Sequence, residues 1–166
     1  MILICYDGSP DSRAAVAQAA ALFADEPATL LTVWEPFVEM AARSSLGLGL
    51  VPFIPDPDEI DEASRKAAEQ TAADGAALAS RLGMTVEQKT IAQTGTVARA
   101  ILAEAEAISA TAIVMGSRGL TGVKSLLLGS VSHEVVQHAD RAVVVVPSPA
   151  VASSRARAVH GMVGGA

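Results

Sequence analysis

The chain has 166 residues, 51% of them hydrophobic and only 3% aromatic, so it can bury one sizeable aliphatic core and is too apolar to be disordered along its length. Its 12 Lys and Arg stand against 18 Asp and Glu, a net charge of −6, which argues against nucleic acid as a partner because phosphate neutralisation needs clustered cations. The single cysteine, Cys5, excludes an internal disulfide and a cysteine-based zinc site.

Residues 1–6 (MILICY) form the first apolar run, continuous as in a strand buried on both faces. The run is too short for a secretory signal, and no apolar stretch approaches the ~20 residues of a membrane span. A cytoplasmic protein without membrane contact is the expectation. Asp7-Gly8-Ser9-Pro10 breaks the run, with Ser9 placed to N-cap a helix and Pro10 to open it. Val16, Ala19, Ala20 and Phe23 share one face of that helix. A second strand covers residues 29–34. Residues 35–57 follow, with Pro36, Pro52, Pro55, Pro57, Gly47 and Gly49. This exceeds the ~2–6 residues of an ordinary connection and reads as a cover beside a pocket or as a packed surface excursion.

A long helix is predicted over 58–82, stopped by Gly83. Residues 84–91 read as a third strand, placed at an edge by Glu87 and Lys89. Thr94-Gly95-Thr96 opens a helix carrying Val97, Ile101, Leu102, Ala105 and Ile108. Residues 111–115 form a fourth buried strand, 130–138 a helix, and 142–146 (AVVVV) a fifth strand. The tail from Ser148 has no usable period and is expected to be disordered. Strands alternating with helices imply a parallel α/β sheet covered on both faces, one domain over residues 1–147.

The chemistry is expected in residues 115–132, between a buried strand and a helix. In such sheets ligands bind at the carboxyl ends of the strands, near the switch in strand order. Gly116, Gly119 and Gly129 remove Cβ atoms where a backbone would approach a ligand. The amides of Gly129, Ser130, Val131 and Ser132 would be open donors of the following helix, with the Ser130 and Ser132 hydroxyls beside them. Open amides and the helix dipole together suggest a phosphate cradle. A Walker A loop fails, because Val123 rather than glycine precedes Lys124-Ser125, and G-x-G-x-x-G is absent. Arg118 and Lys124 read either as solvated charges or as phosphate partners. Trp34 reads as packing beside the pocket. Cys5 reads as inert core. His133 and His138, five apart, do not share a helix face and so make no metal pair.

Gly116-x-x-Gly119, nine residues, then Gly129-Ser130, together with Asp7-Gly8-Ser9, Val33 and Val143-Val144-Val145-Val146-Pro147, resembles the universal stress protein family, in its ATP-binding subgroup. The resemblance implies a Rossmann-like sheet in the order 3-2-1-4-5 and bound ATP, with Mg²⁺ or Mn²⁺. It implies that Cys5, Tyr6 and Asp7 flank the adenosine and that Val33 meets the adenine. Met115 and Gly116 would lie at the ribose, Ser117 and Gly119 would approach the phosphates, and Gly129, Ser130, Val131 and Ser132 would bind them. In that order the fifth strand is an apolar edge, which predicts a homodimer paired through residues 142–146. The resemblance implies a regulatory, stress-response binding module, and no residue near the cradle looks like an activated nucleophile or base. The alternatives are a weak ATPase or an ATP pyrophosphatase of the PP-loop type, and a nucleotide-independent dimer. Residues 7–12 are only partly similar to the PP-loop string S-G-G-x-D-S.

Overall fold

In the computed structural model, which describes residues 1–44, 56–120 and 128–163, five parallel strands form one sheet in the order β3-β2-β1-β4-β5. The strands are β1 (Ile2–Cys5), β2 (Ala28–Trp34), β3 (Val86–Ala92), β4 (Ala112–Gly116) and β5 (Ala142–Val146). The helices are α1 (Pro10–Leu22), α2 (Phe37–Ser44), α3 (Pro57–Arg81), α4 (Val97–Ala107), α5 (Ser130–His138) and α6 (Pro149–Val163). Among the described residues no helix is long and apolar enough to cross a membrane.

The unbroken apolar run of β1 is explained by its central place. Ile2, Leu3 and Ile4 are fully buried, and Ile4 sits between Leu30 of β2 and Val114 of β4. Alternate residues feed two cores. Ile2, Ile4 and Tyr6 pack with Val16 and Ala19 of α1 and Ala72 and Ala79 of α3. Leu3 and Met115 pack on the other face with Ile101 of α4 and Val135 of α5. The chain leaves β1 toward β2 on one side and meets β4 on the other, so a crevice opens at their carboxyl ends.

The cap reading of α1 holds. Ser9 Oγ accepts from the Ser12 amide at 3.1 Å, and Pro10 opens the helix. Gly83 closes α3 in the left-handed region, at φ +81°. β3 lies at an edge, with Glu87, Gln88 and Lys89 exposed.

Two segments differ from their sequence reading. Within residues 35–57, the first part is the helix α2, not an irregular excursion. The Pro36 carbonyl accepts the Glu39 and Met40 amides at 3.1 Å, so the proline precedes the helix without interrupting it. Asp61 of α3 accepts the Phe37 amide at 2.6 Å, and Glu39 accepts the Gly95 amide at 3.3 Å. Residues 45–55, with Pro52, Pro55, Gly47 and Gly49, lie outside the described residues, as does Lys124. The tail expected to be disordered is the helix α6. Buried Ser148 starts it by accepting the Ala152 amide at 2.9 Å, and Pro149 takes the first helical position. Alanines at 150, 152, 156 and 158 favour helix without giving an apolar period.

Candidate functional site

At the carboxyl edge of the sheet, a cavity of about 290 Å³ lies between β1, β2 and β4 on one side and α4 and α5 on the other. Its floor is apolar, built from Cys5, Leu31, Val33, Val97, Ile101 and Met115. Its mouth is polar, with Asp7, Arg118, Gly119, Gly129, Ser130 and Ser132. The volume is near the lower end of the roughly 300–1,000 Å³ typical of small-molecule clefts.

Of the residues singled out in the sequence, Cys5, Tyr6, Asp7, Val33, Met115, Gly116, Gly119, Gly129, Ser130, Val131 and Ser132 all line this cavity. Tyr6 meets it from its backbone, since its ring packs in the opposite core against Gly75 of α3. Ser117 does not line it. Its hydroxyl is fully buried and donates to Asp11 Oδ2 at 2.7 Å.

Three expectations about the cradle change. Gly116 lacks a Cβ because α1 occupies the space: a Cβ there would come within 2.8 Å of the Asp11 carbonyl carbon and the Ser12 nitrogen. The Gly129 amide is not open, since it donates to the Ser117 carbonyl at 2.8 Å. The Ser132 hydroxyl is committed too, donating to that same carbonyl at 2.8 Å and to the Gly129 carbonyl at 3.1 Å. What the mouth retains is exposed Ser130 at the start of α5, whose glycine N-cap supplies no side-chain acceptor for the first-turn amides. That helix end favours an anion.

Asp7 divides its carboxylate. Oδ1 accepts the Ser9 amide at 3.0 Å, which fixes the turn out of β1. Oδ2 lies against Gly119, where a Cβ would sit 2.8 Å from it. Burial, with the Asp7 charge added, pushes the Cys5 thiol up to about 12, so it is protonated at neutral pH. For Asp11, burial raises the carboxyl pKa. Hydrogen bonds from Ser117 and Ser148, with the Arg118 charge, outweigh that and leave it below the ordinary value.

Sequence reasoning missed Ser12, Leu31, Val97 and Ile101 as cavity residues. A signal existed for three of them. Leu31 and Val33 are two apart on a strand, and Val97 and Ile101 are four apart on a helix, so each pair shares a face. Arg118 had two readings and lines the cavity, with Nε 3.9 Å from Asp11 Oδ2. Trp34 is half-buried at the end of β2, its carbonyl accepting the Gln93 amide at 2.8 Å. Among the described residues no group of three His, Cys, Asp or Glu could hold a metal ion.

Comparison with known proteins adds to this geometry. The family model described as the universal stress protein family matches residues 1–147. The chain is 33% identical over 147 residues to universal stress protein YxiE of Bacillus subtilis, covering 87% of this chain and 97% of that one. It is 36% identical over 147 residues to the universal stress protein in the QAH/OAS sulfhydrylase 3′ region of Thermus aquaticus, covering 87% and 96%. Its fold is similar to that of a universal stress protein in complex with cAMP, with TM-score 0.61 and 22% identity over 89% of this chain and 96% of the other. It is similar to the universal stress protein of Archaeoglobus fulgidus in complex with dAMP, with TM-score 0.54 and 19% identity over 87% and 95%. An Arabidopsis thaliana family protein with AMP bound gives TM-score 0.61 and 13% identity over 90% and 92%.

Proposed function

The chain belongs to the universal stress protein family, and from there we propose that its cavity binds an adenine nucleotide, ATP, as a regulatory module of a stress response without efficient turnover. One observation carries this reading: an apolar slot leads directly to a helix N-terminus whose first-turn amides have no side-chain cap. An adenine ring suits the slot lined by Val33, Ile101 and Met115. The phosphates suit the mouth, at the start of α5 with Ser130, Val131 and Arg118. Asp7 Oδ2 is the acceptor nearest the ribose end, beside Gly119. The AMP, dAMP and cAMP carried by similarly folded proteins support an adenine nucleotide.

A divalent ion, Mg²⁺ or Mn²⁺, fits this site as a companion of the triphosphate rather than as a resident of a protein cage. Asp7 and Ser130 offer oxygens, and such ions commonly keep waters and phosphate ligands. The reading without efficient turnover rests on the thiol of Cys5 being buried and protonated. We place the binding unit in residues 1–147, acting in the cytoplasm as a homodimer joined through the edge strand β5.

The test is calorimetric titration of the purified protein with ATP, with and without Mg²⁺, and with AMP. Micromolar binding is expected, reduced at least about tenfold in Gly119→Val, whose side chain would crowd Asp7 and the mouth. Absence of binding by every nucleotide, or unchanged affinity in a folded Gly119→Val protein, overturns it. Quantifying ADP, AMP and pyrophosphate after prolonged incubation separates binding from slow hydrolysis.

A further inference from the structure

Each residue from Gly116 to Gly119 meets the start of α1 or the turn before it. A Cβ on Gly116 would lie 2.8 Å from the Asp11 carbonyl carbon and the Ser12 nitrogen, so the helix backbone packs directly on it. Ser117 Oγ donates to Asp11 Oδ2 at 2.7 Å, and Arg118 Nε lies 3.9 Å from the same oxygen. The Arg118 carbonyl accepts from Ser9 Oγ at 3.4 Å, and Gly119 lies against Asp7 Oδ2. Asp11 thus meets two side chains of the turn with one oxygen, while it is itself buried and does not line the cavity. The turn in its own right holds α5, because the Ser117 carbonyl accepts the Gly129 amide and the Ser132 hydroxyl, both at 2.8 Å. From behind the mouth, Asp11 therefore reaches Arg118 directly and the α5 start through Ser117.

We propose that Asp11 is a positioning residue for the cavity mouth: it docks the 116–119 turn on α1 and thereby fixes where Arg118 and the first turn of α5 present their charge and their amides. A hydroxyl donating to a carboxylate makes a charge-assisted bond, roughly twice as strong as a neutral one. Removing the carboxylate leaves the Ser117 hydroxyl, fully buried, without that acceptor, which is costly. The consequence for a ligand rests on the nucleotide reading given above. There the base lies on the apolar floor and the phosphates at the mouth, so Asp11 governs how strongly the phosphate end is held and not whether the base binds. The sign of the effect identifies the mechanism. The negative charge of Asp11 by itself opposes an anion at the mouth, so a purely electrostatic role predicts tighter ATP binding when it is removed, whereas positioning predicts weaker binding.

The test uses the full chain with Asp11→Ala, Asp11→Asn and Ser117→Ala. Hydrogen exchange is measured first, without nucleotide. Asp11→Ala and Ser117→Ala are expected to speed exchange over residues 129–133 about fivefold or more, with α3 at its wild-type rates to show that the fold is kept. Asp11→Asn, which still offers Ser117 an acceptor, stays close to wild type. Wild-type exchange over 129–133 in a folded Asp11→Ala or Ser117→Ala protein overturns the positioning. Titration with adenosine and with ATP follows. ATP should bind at least about tenfold more weakly to Asp11→Ala, while adenosine changes less than about twofold and Asp11→Asn keeps its ATP affinity. The same split is expected in Ser117→Ala. ATP binding that is unchanged or tighter in Asp11→Ala, or equal losses of ATP and adenosine, overturns the proposal as well. A wild type that binds neither adenosine nor ATP ends the nucleotide reading alone, and faster exchange over 129–133 in the variants then still supports the positioning.

Discussion

Gly116 and Gly119 look alike in the string Met115-Gly116-Ser117-Arg118-Gly119 but answer to different neighbours. A Cβ on Gly116 meets backbone atoms of Asp11 and Ser12 at 2.8 Å, and helix backbone cannot step aside. A Cβ on Gly119 meets only the carboxylate tip of Asp7 at 2.8 Å, at an exposed position. Gly116→Ala should therefore destabilise the protein by about 1–3 kcal/mol, as overpacking does, while Gly119→Ala stays within ~0.5 kcal/mol. Urea unfolding of both variants checks this, and equal losses would contradict the assignment. The spacing of these glycines revealed that something must come close, not whether it was a ligand or the chain's own helix. The same limit hid the role of Ser117. The family resemblance implied a phosphate contact for it, whereas the partner that takes its hydroxyl is Asp11, 106 positions away.

Helix starts carry much of this protein's polar chemistry. Those of α1 and α4 were readable, because Ser9 and Thr96 precede apolar periods and their side chains accept from Ser12 and Arg99. The starts of α2 and α6 were not. Pro36 sat among the prolines and glycines of residues 35–57, and α6 has no apolar period. Asp11 in the first turn of α1 has a titration that can be measured. Its folded pKa lies below the ordinary 3.8, so its contribution to stability is complete above that value and is lost as pH falls through the lower folded value. The stability gap between wild type and Asp11→Asn should be widest above about pH 5 and shrink steadily below pH 4. Urea midpoints from pH 3 to 7 check it, and a gap that grows on acidification would overturn it. Glu62 and Asp140 also have lowered pKa values, but both are exposed and common to the two proteins, so they cancel.

In the assembled sheet, burial falls from the centre to the β5 edge. Ile113 and Val114 of β4 are fully buried, whereas Val143, Val144, Val145 and Val146 are only partly covered. A β-branched edge of this kind invites pairing with a second copy, and antiparallel pairing of identical strands closes as a two-fold dimer. Light scattering at micromolar concentration should give the mass of a dimer, and a monomer there overturns the proposal. The strand order was legible through the family resemblance, with which the apolar runs of β1 and β4 and the polar Glu87 and Lys89 of β3 agree. The contact that joins Ser117 to Asp11 was not, because short polar residues far apart in the chain leave no periodic trace.

The central strand has a further consequence during synthesis. Ile2-Leu3-Ile4 emerges before its partners and can pair with Leu30 and its neighbours on β2, but its other edge waits for Ala112, Ile113 and Val114. Translation at ~5–20 residues per second makes that wait on the order of ten seconds. For that interval the most apolar segment of the chain presents open backbone groups, and the cavity does not yet exist because Met115 and α5 have not been made. A nascent chain halted between β3 and β4 should therefore bind a holdase chaperone through residues 1–5 and be blind to nucleotide, gaining the ligand site only when the second half of the sheet arrives.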